Sequence, residues 1–81
     1  MGLFDILFGR NIADGSSPDK AIAVSSVEAE YKWVQRNCRG YMPRSQSLQN
    51  INGTMYDVLE LQNQQGQERT VYFDITQFFG K

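Results

Sequence analysis

Residues 32–44 read KWVQRNCRGYMPR and hold Lys32, Arg36, Arg39 and Arg44, interleaved with Trp33 and Tyr41 and with no acidic side chain. Guanidinium and ammonium groups neutralise phosphate oxygens while aromatic rings stack bases, so this set has the chemistry of an anionic-ligand or single-stranded nucleic-acid site. The same residues have a plainer reading. Lys32, Arg36 and Arg39 share one face of a predicted helix near its C-terminus, where solubility and the helix dipole already favour positive charge. The whole chain carries a formal net charge of −1. It therefore has no global field to steer nucleic acid, and the solvated face is the stronger reading.

Acid–base chemistry needs two positioned groups. Asp57 and Asp74 fall on neighbouring predicted strands, but the favoured register turns Asp57 inward and Asp74 outward, so they do not face each other. The chain has no histidine, and its single cysteine, Cys38, lies on an apolar helical stripe without a base beside it. No glycine-rich loop leads from a strand into a helix. These absences predict a protein that is not an enzyme, with no cofactor and no metal site.

A third set could dock rather than react. MGLFDILFGR places Leu3, Phe4, Ile6, Leu7 and Phe8 within one short run. Coiled as a helix, it stacks Leu3 over Leu7 and Phe4 over Phe8, a stripe suited to a protein partner, a second protomer or a membrane surface. The run resembles the short Leu/Phe-rich membrane-contacting starts of the bacterial cell-division protein MinE and of the glucose-specific phosphotransferase IIA protein. The likeness covers about ten residues, and here Asp5 and a lone basic Arg10 weaken attraction to anionic lipid. Met1-Gly2 opens like a myristoylation signal, but Ile6 stands where that signal requires Ser or Thr.

The elements that must position these groups follow from pattern. Residues 11–19, NIADGSSPD, have the Gly, Ser, Asp and Pro content of a flexible linker, which separates the 1–10 segment from a domain over 20–81. KAIAV predicts a first strand. Ser25-Ser26-Val27-Glu28 fits a capping box, and Val27, Tyr31, Val34 and Cys38 then recur as the inward stripe of a helix ending near Gly40, with Trp33 on its flank. Three strands follow: a weak candidate over 47–51, a hairpin turn at Asn52-Gly53, a strand over 54–62, and a last strand over 69–76. In the last strand Val71, Phe73 and Ile75 point inward. A bulged loop at Gly66 would place Met55, Asp57, Leu59 and Leu61 on the same face, with Leu59 opposite Phe73. A two-residue loop would turn Tyr56 and Val58 inward instead.

The expected fold class is a small α+β domain: strand, helix and three-stranded antiparallel meander, with one helix packed on the sheet. Eighty-one residues suffice for one thin core. No apolar run reaches the roughly 20 residues of a membrane-spanning helix. The single cysteine suits a reducing cytoplasm, and the Leu/Phe run suits the inner face of the membrane. The predicted function is a non-enzymatic interaction module docking through its N-terminal segment and outer sheet face. The partner is a protein, a second copy or a membrane surface. Anionic-ligand binding on the basic helix face is the alternative.

Overall fold

The computed structural model describes residues 13–80. It is an α+β fold. A 3-10 turn at Pro18–Lys20 precedes β1 (Ile22–Ala23), α1 (Val27–Asn37), β2 (Met42–Ile51), β3 (Thr54–Gln62) and β4 (Glu68–Asp74). The four strands form one mixed sheet in the order β1-β4-β3-β2, in which β1 runs parallel to β4 and the other pairs are antiparallel. The meander is as the hairpin signals require. Asn52 and Gly53 both take positive φ, 52° and 87°, the backbone of the two-residue turn whose twist matches that of its flanking strands.

α1 begins one residue later than the capping-box reading implies. Ser26, not Ser25, is the N-cap, and its Oγ accepts from the Ala29 N–H at 3.1 Å. The inward stripe is also rotated from Val27, Tyr31, Val34 and Cys38. Val27 is 46% exposed and Tyr31 37%, whereas Glu30, Val34 and Cys38 are buried, at spacings of four residues. Trp33 explains the rotation. Its ring packs edge-to-face on Phe73 with centroids 5.7 Å apart and an interplanar angle of 87°. An aromatic side chain of that size dominates local burial, and turning it inward carries Ala29 and Glu30 with it.

The core lies between α1 and the face of the sheet bearing Leu59, Leu61, Val71, Phe73 and Ile75, closed at one side by Val24. The face of β3 is that of the bulged-loop reading. Its register is not: Leu59 stands opposite Val71 and Asp57 opposite Phe73. The difference arises in the loop, which spans Asn63 to Gln67 rather than closing tightly at Gly66. The Asn63 side chain organises it by accepting from the N–H groups of Gln65 and Gln67. Gly66 keeps the left-handed backbone expected of it, with φ of 81°.

One hydrogen bond ties the chain ahead of β1 to the sheet, and a second closes that segment on itself. The Tyr72 N–H donates to the Gly15 carbonyl at 2.7 Å, and the Gly15 N–H donates to the Lys20 carbonyl at 2.7 Å. Gly15 has φ of 79°, and a Cβ there would lie 2.6 Å from Val71 Cγ1. Both the backbone angle and the close approach require glycine. Along β4, this strap and β1 occupy the edge facing away from β3.

β2 is longer than the weak 47–51 candidate and differs in character from the other strands. Among the described residues it is an edge strand paired only with β3, and every residue from Met42 to Asn50 is exposed. The core beneath α1 draws on β3 and β4, and no residue of β2 joins it. With no apolar face to bury, the segment lacks the alternation that marks a strand in sequence.

Candidate functional site

Three places collect chemistry, and the first is inside. Glu30 projects from α1 into the core with no exposure to solvent, and Asp57 meets it from β3. The Gln46 Nε2 of β2 donates to Asp57 Oδ2 at 2.7 Å, while both Glu30 oxygens and Asp57 Oδ1 have no hydrogen-bond partner in the geometry among the described residues. Burial, then the hydrogen bond to Asp57, then the charge of Asp57 push the Glu30 carboxyl up to about 9. Near neutral pH Glu30 is therefore protonated. The protonated carboxyl can donate to Asp57, which removes the conflict of two buried like charges.

A carboxyl raised this far would suit a general acid if substrate could reach it. Here it is sealed. Neither carboxyl lines the concavity beside Arg39 or the one beside Trp33. The sequence places Asp57 beside Asp74 on the neighbouring strand. Asp74 is engaged elsewhere, its Oδ1 accepting from the N–H and Oγ of Thr76. The signal for the Glu30 and Asp57 pair was present: each carboxylate interrupts an otherwise apolar face, and the two faces oppose each other.

The second place is the basic set, which the structure divides. Lys32, Trp33 and Arg36 border a shallow concavity of about 340 Å³ with Val24 and Ala29, and Lys32 pairs at 3.7 Å with exposed Glu28. Arg39, Tyr41 and Arg44 lie around a different, open concavity of about 570 Å³ at the C-terminal end of α1, with Gln35, Gln62 and Asn63. Among the described residues no acidic side chain lines either concavity. The guanidinium of Arg44 donates to the Gln62 side chain across the β2 and β3 pair. The last carbonyls of α1 point toward this end, and their partial negative charge opposes an anion. Cys38 at the helix cap is buried, and burial pushes its thiol up.

The third place is the surface that could dock. Leu3, Phe4, Ile6, Leu7 and Phe8 lie outside the described residues. On the sheet face away from α1, Val58 is only 2% exposed, and two half-buried rings of the same face, Tyr56 and Tyr72, are in edge-to-face contact at 6.4 Å. The open feature is the edge of β2. Its outward main-chain groups have no backbone partner among the described residues. Leu48 stands on this strand at 58% exposure.

No family model, curated protein or solved structure matches this chain. Function therefore rests on these three places alone. Among the described residues no group of three or more potential ligands could hold a metal ion, and no helix is long and apolar enough to cross a membrane.

Proposed function

We propose that this chain is a non-enzymatic interaction module that docks through the open edge of its sheet, with the apolar run Leu3, Phe4, Ile6, Leu7 and Phe8 and the outer sheet face as further docking elements. The observation that carries this reading is β2: a strand of ten residues at the sheet edge, exposed from Met42 to Asn50 and bearing a largely exposed Leu48. Unpaired strand edges add strands, because each outward N–H and C=O gains a partner that water otherwise supplies. The non-enzymatic part rests on the missing histidine and on the enclosure of the Glu30 and Asp57 pair. The Leu/Phe run adds a surface suited to protein or lipid, and it is the basis for placing the chain at the inner face of a membrane.

The test is sedimentation velocity from micromolar to millimolar concentration, beside co-sedimentation with anionic vesicles, for the full chain and for the chain lacking residues 1–10. Association of the full chain with itself or with vesicles supports the reading. A full chain that stays monomeric and leaves vesicles alone contradicts it.

A second reading has one observation in its favour, the acid-free lining around Arg39, Tyr41 and Arg44. An anionic ligand held by both arginines would give oligonucleotide binding whose log–log salt slope is about −1.4, and reversal of Arg39 and Arg44 to Glu would abolish it. The helix C-terminus beside these arginines ranks this reading second, and the expected result is no measurable binding at physiological salt.

A further inference from the structure

We infer that the open edge of β2 recognises itself, with Ser45–Ile51 of one copy pairing antiparallel with the same segment of a second copy about a two-fold axis through Leu48. This rests on the interaction-module reading and names the partner at that same edge. Three features of the strand support it. Natural sheets guard long edges with charge, proline or a bulge. β2 has such guards only at its start, where Pro43 and Arg44 sit at the register shift between Pro43 and Ser45. From Ser45 to Ile51 the sequence SQSLQNI carries no charge and no proline.

Charge and shape are also self-complementary. Antiparallel pairing about Leu48 sets Leu48 against its copy, so a largely exposed apolar side chain of the strand meets its equal. The same axis sets Gln46 opposite Asn50 and Ser47 opposite Gln49, pairs in which each side chain can both donate and accept. Arg44 falls opposite Asn52, so no like charges meet. Finally, Gln46 is already anchored on Asp57, which holds the strand's shape before it pairs. The axis stands perpendicular to the sheet, so the dimer has one continuous eight-stranded sheet with both helices on the same side.

A junction of one strand pair is small, so the complex is weak and transient. The test is sedimentation velocity on the full-length wild type and two double variants, S47K/Q49K and S47E/Q49E. Both positions are exposed and lie on the face away from the Glu30 and Asp57 pair. In each variant like charges face one another across the axis, and self-association should weaken by about tenfold or more. Mixing the two variants in equal amounts should restore the dimer, because the ammonium groups of one variant then meet the carboxylates of the other, and recovery requires both proteins to be folded. Three results overturn the inference: a wild type that stays monomeric up to about 1 mM, a dimer indifferent to both variants, or loss in the variants without recovery in the mixture. An indifferent dimer would leave the interaction-module reading standing with its docking surface elsewhere. A monomeric wild type that still binds vesicles would leave it standing on the N-terminal run.

Discussion

Because Glu30 is enclosed one helical turn before Val34, it can ionise only by placing a second negative charge beside Asp57 with no water to solvate it. Its folded-state value of about 9 stands above the ordinary 4.5. Below pH 4.5 the folded and unfolded chains both hold the proton, and this carboxyl costs no stability through ionisation. Between the two values the unfolded chain releases the proton while the folded chain retains it. Stability therefore falls as pH rises, by about 1.4 kcal/mol per unit, and flattens above the folded-state value. Glu30→Gln keeps the shape and a donor for Asp57 but removes the titration. Urea denaturation between about pH 5 and 9 should show the wild-type decline and a nearly flat variant, more stable at neutral pH by about 3 kcal/mol. Parallel profiles would show that Glu30 ionises freely in the folded state. The pair was half legible in the sequence. Asp57 stood out as a charge on an inward face, but its partner was hidden because the 27, 31, 34, 38 stripe is as regular as the 30, 34, 38 line. Only the packing of Trp33 on Phe73 chooses between them.

Among the elements, α1, β3 and β4 were readable because each carries an apolar periodicity that burial then uses. Asn52-Gly53 fixed the hairpin between β2 and β3 for the same local reason, since few other dipeptides tolerate that backbone. β2 was only partly readable: MPRSQSLQN buries nothing, so pairing with β3 makes it a strand and its own pattern does not. The strap at Gly15 was read only as linker composition, because the sequence says nothing about its approach to Val71. Two predictions belong at this scale. Gly15→Ala places a methyl group against Val71 in a left-handed backbone and should cost about 1–3 kcal/mol, read as a lowered denaturation midpoint with unchanged slope. Phe73→Ala removes the fully buried ring that Trp33, α1 and β4 share, and should cost about 3–5 kcal/mol, much of the stability of so small a domain. A well-folded Phe73→Ala protein with near wild-type stability would show that the core is organised around another residue.

At the scale of the whole molecule, the fold is asymmetric in how it treats its two sheet edges. Among the described residues, one is occupied by β1 and the Gly15 strap, and the other, β2, is left open along Ser45–Ile51 without a charge to defend it. An open edge in a chain whose sealed carboxyl pair offers no access to substrate is the basis for reading the protein as a docking module. The most direct measurement is the concentration dependence of backbone amide chemical shifts in the full chain, followed residue by residue by NMR. Edge-to-edge pairing predicts saturable shifts centred on the amides of Ser45–Ile51, with α1 and the loop at Asn63 to Gln67 unmoved. Shifts confined to residues outside β2, or a spectrum that does not change with concentration, would contradict it.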